Sequence, residues 1–289
     1  MASSDERERR MSSKNSLSRL SRFAGVLCTL ALAVSLLAAG FAACCMPQTT
    51  RVFSEATSNF ESSPYAHDQL VELAVATRDY TVDGISREAL YAQVVEAGRE
   101  SATDAALGKA DSWHPIAEQV NLLDISLDDT TIAKRLATDV RYCLDEDALT
   151  HLDACYELIS KAIPLLWGVA AIAFLLVIVL STKKCWRDLS RALIIAPLLL
   201  LVFLGACGVM ALISWDNFFA LFHGLFFPQG GWIFPWYSLL ICMYPEAFWT
   251  HMALLWLGTT GALSLASFIF GVVIRRRTTT PRGVHSIRR

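Results

Sequence analysis

The chain has 289 residues, 54% of which are hydrophobic, and its mean hydropathy is +0.42. Its formal net charge is −2 at pH 7. This composition excludes an ordinary soluble domain and directs attention to apolar stretches that could cross a bilayer.

Four stretches of 21–23 residues carry no charged side chain, and each is predicted to form a transmembrane helix. About 20 helical residues, each rising about 1.5 Å, cross a hydrocarbon layer about 30 Å thick. The predicted fold class is an all-α membrane protein: four transmembrane helices, with a small, mainly helical extracytoplasmic domain between helices 1 and 2. The predicted segments are a cytoplasmic basic tail (1–22), transmembrane helix 1 (23–43), the extracytoplasmic domain (44–161), transmembrane helix 2 (162–182), a cytoplasmic hinge (183–191), transmembrane helix 3 (192–214), an extracytoplasmic aromatic and histidine-containing segment (215–251), transmembrane helix 4 (252–274) and a cytoplasmic basic tail (275–289).

The orientation follows from the positions of the 25 Lys and Arg residues. Six precede Phe23, four lie in the hinge and six follow Ile274, whereas 21 of the 27 acidic residues lie in the 44–161 domain. Positive charge accumulates on the cytoplasmic side of membrane proteins. Both termini are therefore predicted to be cytoplasmic.

The first apolar stretch has two interpretations. A basic tail precedes it and the small residues of "FAACC" end it, as in a cleaved signal peptide. However, it is longer than the roughly 7–15 residues of a signal-peptide core, which favours a retained anchor.

In the 44–161 domain, the chain is expected to be polar and extended from Cys44 to about Asn59. A helix is predicted in "SSPYAHDQLVELAVATRDY", with Ser63 as N-cap and Pro64 at its first position. Apolar residues at helical spacing predict two more, in "ISREALYAQVVEAGRESA" and "TIAKRLATDVRY". Between these two, residues 108–127 show no clear period.

The last helix of this domain is predicted to begin near Asp145 and to continue into transmembrane helix 2. Pro164 would then lie within the helix and kink it. Cys143 and Cys155 could pair only if the helix were broken between them, because twelve helical residues span about 18 Å. Their pairing is left unassigned.

Five of the six histidines are predicted to face outward, and only His285 to be cytoplasmic. His67 is interpreted as a surface residue, His114 as a loop residue and His251 as an interfacial anchor. His151 differs because it lies on the helix that enters the membrane. His223 differs because it lies between two spans, and a titratable group at membrane depth suggests a function.

The segment around His223, "FHGLFFPQGGWIFPWYSLLICMYPEAFW", is unusually aromatic. Thirteen Phe, Trp and Tyr residues fall within residues 214–250. An interfacial aromatic belt explains most of these rings. It explains the histidine and the Pro and Gly residues less well.

This segment resembles the signature of the bacterial lipoprotein intramolecular transacylases and their uncharacterised relatives. That family has a second histidine just before its second span, which His151 matches by position, and the order of spans is similar. The matching residues of the segment are Phe222, His223, Phe226, Phe227, Trp232, Ile241, Pro245 and Phe248.

The chain departs from the family pattern at two acidic positions. The family tends to have an acidic residue three positions after the second histidine, where this chain has Ala154; Asp153 lies about 100° away around the helix. Ser238 occupies a second position that is often acidic.

The resemblance implies an acyltransferase of the bacterial cell membrane. Such an enzyme moves the sn-2 acyl chain of a diacylglyceryl-modified lipoprotein onto the α-amino group of its N-terminal cysteine. Its implied partners are lipoprotein N-termini and membrane lipid, without nucleic acid, metal or cofactor. His151 and His223 are the implied catalytic residues, with His151 favoured as the base because it lies in the wetter domain. The implied substrate-binding residues are Phe222, Phe226, Phe227, Trp232, Tyr244 and Phe248.

Two other functions remain open at this point. A non-enzymatic membrane scaffold could use the acidic domain to bind a partner. A metal-dependent hydrolase is disfavoured, because the chain contains no His-Glu-x-x-His or His-x-x-x-His spacing.

Overall fold

The computed structural model describes residues 2–106, 127–228 and 230–279. Those residues form helices and connecting turns without a strand, which confirms the predicted all-α fold class. Short 3₁₀ and π-helical turns lie at Phe60–Ser62 and Asp79–Asp83. The α-helices are α1 (Ala2–Cys44), α2 (Pro47–Thr57), α3 (His67–Arg78), α4 (Arg87–Ala106), α5 (Asp129–Leu136), α6 (Glu146–Thr182), α7 (Trp186–Ile213), α8 (Trp215–Phe226), α9 (Leu239–Met243) and α10 (Glu246–Thr279).

Four of these helices, α1, α6, α7 and α10, are long and apolar enough to cross a membrane. Their most apolar windows have mean hydropathies of 2.3, 2.8, 2.7 and 1.9, and at most 22% of each window is buried within the protein. Apolar helices that expose most of their surface are suited to lipid rather than water. The four predicted membrane helices are confirmed, and each helix begins before its uncharged stretch.

The described residues divide into two compact units. The first, here called the membrane unit, comprises parts of residues 1–40, 164–213 and 258–289. Within it, α7 packs closely on α10. The Ser190 hydroxyl donates to the Gly271 carbonyl at 3.0 Å, and the Ser267 hydroxyl donates to the Leu193 carbonyl at 3.0 Å. A Cβ at Gly271 would lie 2.7 Å from Ile194. This small-residue packing is typical of membrane helices.

The second unit, here called the histidine unit, comprises residues 41–163 and 214–257. Its core includes the buried side chains Leu70, Leu73, Leu90, Ile132, Leu136, Leu149, Leu239, Met243 and Phe248. The Leu239 amide donates to the Val140 carbonyl at 2.7 Å, and the Tyr244 hydroxyl donates to the Ala74 carbonyl. These bonds make residues 238–248 part of the folded core of this unit.

The expectation of an extended chain from Cys44 to Asn59 is wrong, because helix α2 forms there. Pro47 occupies its first turn, where a missing N–H costs nothing. Thr50 and Ser54 are buried, and Phe53 packs against the core. Small polar side chains therefore supply the inward face that the apolar pattern did not indicate.

Two predicted helix ends also differ in the structure. Helix α3 begins at His67, since the Gln69 side chain accepts from the Ala66 amide at 3.0 Å, while Ser63 accepts from the Tyr65 amide at 3.2 Å. Helix α5 ends at Leu136, before the end of the predicted "TIAKRLATDVRY" helix.

Helix α6 runs without a break from Glu146 to Thr182, so the predicted entry into the second span is confirmed, with Pro164 inside the helix. The following turn is shorter than the predicted hinge, because α7 already begins at Trp186. Lys184 has a φ of 58° in this turn. Cys143 and Cys155 are both free thiols.

Candidate active site

His151 lies in the second turn of α6, ahead of the 162–182 apolar stretch. The same part of the helix places Ala148, Leu149 and Leu152 in the core of the histidine unit. This packing fixes the rotation of the helix about its axis. The imidazole is thereby held half-buried at the edge of the core.

His223 lies in the last turn of α8. Ser214 caps the start of the helix, and its hydroxyl accepts from the Asn217 amide at 3.4 Å. The Nδ1 atom of His223 lies 3.0 Å from the Phe219 carbonyl oxygen, one turn earlier. Because a carbonyl oxygen only accepts hydrogen bonds, Nδ1 must carry the proton. In a neutral His223, Nε2 is therefore the atom with the free lone pair.

The structure brings the two imidazoles together although 72 positions separate them in the sequence. Their ring centroids are 6.4 Å apart and their planes differ by 29°. Phe227 accompanies the pair, with its centroid 4.9 Å from that of His151 and 6.0 Å from that of His223. Both histidines belong to the histidine unit.

Further aromatic rings surround the pair. Phe219 and Trp232 lie 3.9 Å and 4.9 Å from His223, centroid to centroid, and Phe234 lies 5.7 Å from His151. Sequence reasoning missed Phe219 and Phe234. The position of Phe219, four residues before His223 on one helix, could have indicated it, since such residues are neighbours.

Burial lowers the pKa of both histidines below its ordinary value, because imidazolium loses its hydration among these rings. The neighbouring His223 lowers the pKa of His151 further, whereas the bond to the Phe219 carbonyl opposes the shift at His223. Both imidazoles are therefore mainly neutral near pH 7.

Of the polar residues near His151 on α6, Cys155 lies close to the imidazole, whereas Asp153 contacts other side chains. The Nε2 atom of His151 lies 3.7 Å from the Cys155 sulfur, one turn later. Asp153 instead accepts from the Tyr80 hydroxyl and from Arg87 Nη2, the latter at 2.7 Å. The acidic residue nearest His151 in sequence is thus engaged in an ion pair elsewhere in the unit.

The six predicted substrate-binding residues fall into two groups. Phe222 and Phe226 are exposed and lie 5.0 Å apart, centroid to centroid. With half-buried Trp232 and buried Phe227 they belong to the region around the histidines. Tyr244 and Phe248 lie in the core of the unit, with 8% and 1% of their surface exposed.

The other histidines that the structure describes bond to nearby backbone. His67 Nε2 lies 2.9 Å from the Glu55 carbonyl oxygen, and His251 Nδ1 lies 2.7 Å from the Ala247 carbonyl oxygen. Ser238 caps α9 by accepting from the Ile241 amide at 3.4 Å. The predictions for His114 and His285 lie outside the described residues.

Comparison with known families supports the predicted resemblance. Residues 114–249, which include both histidines and the aromatic run, match the family model described as lipoprotein intramolecular transacylase Lit. The comparison with curated proteins finds no match.

The fold is similar to that of the membrane integral lipoprotein intramolecular transacylase Lit from Bacillus cereus. One structure of that protein has a TM-score of 0.59 at 16% identity, covering 90% of this chain and 98% of the other. A structure with a histidine-to-arginine mutation has a TM-score of 0.57 at 15% identity, with coverages of 93% and 97%. At these identities the similarity is one of fold.

Proposed function

Since residues 114–249 match the Lit family, we propose that this chain is a lipoprotein intramolecular transacylase that uses His151 and His223 as its catalytic pair. The observation that carries the proposal is the convergence of the two rings, 6.4 Å apart, in one aromatic environment. Neither the family match nor the shared fold assigns these roles to the histidines.

The reaction is the aminolysis of an ester within one substrate molecule. The α-amino nitrogen of the lipoprotein cysteine bonds to the sn-2 acyl carbon, and the bond from that carbon to the glyceryl oxygen breaks. One proton leaves the nitrogen and one proton joins the glyceryl oxygen. Because the substrate supplies its own nucleophile, the protein has to align the groups, move that proton and stabilise the oxyanion.

Hydrogen bonding supports His223 as the base. Its Nδ1–H is committed to the Phe219 carbonyl, so its free Nε2 can accept the amine proton and return it to the departing glyceryl oxygen. His151 then supplies an N–H donor to the oxyanion. This assignment reverses the preference for His151 as base that its position in the sequence suggested.

The aromatic rings supply an apolar surface for the acyl chains. Phe222 and Phe226 expose 45% and 41% of their surface beside the histidine pair. Trp232 and Phe227 contact the imidazoles themselves. We assign acyl-chain binding to these four residues, and a packing role to Tyr244 and Phe248, because both are buried in the core.

The orientation predicted from the charges completes the proposal. Both termini and the 183–191 hinge face the cytoplasm, and residues 44–161 and 215–251 face outward, where lipid-modified N-termini are found. The support is the distribution of Lys and Arg along the sequence.

The test is mass spectrometry of a lipoprotein N-terminus in cells that depend on this chain for acyl transfer. His151→Ala and His223→Ala are each expected to reduce formation of the N-acylated lyso-form at least about a hundredfold. His67→Ala and His251→Ala serve as matched controls and should retain transfer, because their rings bond to backbone outside the pair. Normal transfer in the His223 variant would refute the proposal.

A further inference from the structure

Cys155 is a polar neighbour of the candidate site that the family resemblance does not explain. Its sulfur lies 3.7 Å from Nε2 of His151, within the range of a sulfur hydrogen bond. The two residues are one helical turn apart on α6, so their side chains share a face. Ala154 offers no hydrogen bond, and Asp153 is held by Arg87 and Tyr80.

We propose that Cys155 is a positioning residue: its S–H donates to Nε2 of His151 and thereby holds the proton of the neutral imidazole on Nδ1. This inference rests on the proposed function. The bond fixes which ring nitrogen is the donor and limits rotation of the ring. His151 then presents an N–H to the reacting ester, while His223 presents a lone pair.

The protonation of the thiol allows it to donate this hydrogen bond. Burial raises the pKa of Cys155 to about 12, so the sulfur keeps its proton throughout the physiological range. A protonated thiol is a weak donor and a weak acceptor. A carboxylate in this place could only accept, and it would favour the opposite tautomer with the proton on Nε2.

The uncharged nature of the thiol has a second consequence. A carboxylate beside His151 would stabilise imidazolium and raise its pKa. The thiol orients the ring without adding a charge to an aromatic environment. The same protonation makes Cys155 a poor nucleophile, because the thiolate is the reactive form.

The kinetic experiment compares Cys155→Ala, Cys155→Ser and Cys143→Ala in purified protein reconstituted with a diacylglyceryl lipopeptide. Cys155→Ala should lower kcat about five- to tenfold with KM unchanged, as expected for one weak hydrogen bond made to a catalytic group. Cys155→Ser should restore most of kcat, since its hydroxyl can donate from the same place. Cys143 is a matched control because it is a buried thiol whose pKa is also raised to about 12. Cys143→Ala should leave kcat unchanged when kcat is calculated per folded molecule.

A spectroscopic measurement tests the unsubstituted protein directly. Nitrogen-15 NMR of labelled histidine, assigned with a His151→Gln sample, should show His151 with a protonated Nδ1 and an unprotonated Nε2 at pH 7.5. Cys155→Ala should shift the resonances toward a mixture of both tautomers. A protonated Nε2 in the parent protein would overturn the inference.

The outcomes separate this inference from the proposed function. If His151→Ala abolishes transfer but Cys155→Ala changes neither kcat nor the tautomer, only the positioning role fails. If His151→Ala transfers normally, the proposed function fails. A hydroxylamine-sensitive acyl group trapped on Cys155 would also overturn the positioning role, because it would make the thiol a nucleophile.

Discussion

Replacing Phe227 tests whether the aromatic environment keeps the histidines neutral. Phe227 has 6% of its surface exposed, and its ring lies against both imidazoles. Phe227→Ala removes this cover and admits water to the pair. Since burial is the largest cause of the lowered pKa at both histidines, we expect each pKa to rise toward its ordinary value of about 6.5.

The size of the effect follows from the titration of His223, the base in the proposed mechanism. At pH 6.0 a histidine with its ordinary pKa of about 6.5 is about one quarter neutral, so the rate falls about fourfold below its plateau. The unsubstituted protein, in which burial lowers the pKa of His223, should lose less at the same pH. The acid limb of the kcat profile therefore moves to higher pH in Phe227→Ala.

The assay is acyl transfer on a diacylglyceryl lipopeptide between pH 5 and pH 8, with each profile normalised to its own plateau. Normalisation is needed because replacing a buried Phe with Ala costs about 3–5 kcal/mol and lowers the folded fraction. Phe218→Ala is the control, because the Phe218 ring contacts Trp215 on the same helix. An acid limb that stays in place, or moves to lower pH, in Phe227→Ala would refute the reasoning.

Three further predictions concern the histidine unit. Tyr244→Phe removes the hydroxyl that donates to the Ala74 carbonyl. Thermal melts should show that the free energy of unfolding decreases by about 1–3 kcal/mol, while KM stays unchanged. A raised KM would instead support a role of Tyr244 in substrate binding. Gly84→Ala should lower the melting temperature, because φ is +73° and a Cβ would lie 2.7 Å from the Tyr156 ring; an unchanged melt would contradict this geometry. The lowered pKa values of the two paired histidines mean that the unfolded chain binds more protons below about pH 6.5. The free energy of unfolding should therefore keep its full contribution from these histidines above that pH and should decrease as the pH drops toward their lowered pKa values. A variant with both histidines replaced by Gln should show a smaller decrease in melting temperature between pH 7.5 and pH 5.

The membrane helices were predictable because hydrophobicity alone determines them. An uncharged stretch of 21 residues such as 162–182 has few alternatives to a transmembrane helix. The continuity of α6 could also be predicted, since polar helical residues from Asp145 join that stretch without a turn signal. Pro164 does not end the helix in the structure.

Helix α2 could not be predicted from apolar periodicity because its buried face is partly polar. Thr50 and Ser54 have 1% and 0% of their surface exposed, which a hydrophobicity pattern assigns to solvent. A helix of this kind is stabilised by the tertiary packing it finds, and Phe53 provides part of that packing.

The aromatic segment shows why composition alone could not separate site from core. Tyr244 and Phe248 resemble Phe222 and Phe226 in residue type, yet they are buried in the core while the latter pair is exposed. The division depends on tertiary hydrogen bonds, such as that between the Leu239 amide and the Val140 carbonyl. Those contacts join residues about a hundred positions apart, so no local pattern encodes them.

The roles of the two histidines depend on which atoms their neighbours present. Sequence position favoured His151 as base, whereas the Phe219 carbonyl leaves the free lone pair on His223. The groups that lie beside the two imidazoles, this carbonyl and the Cys155 thiol, are both uncharged, so neither introduces the negative charge that a carboxylate would. The Asp153 carboxylate is paired with Arg87, where its charge is compensated. In the proposed mechanism, a neutral His223 accepts the amine proton and a neutral His151 donates to the oxyanion, and this pairing avoids burying a net charge among aromatic rings.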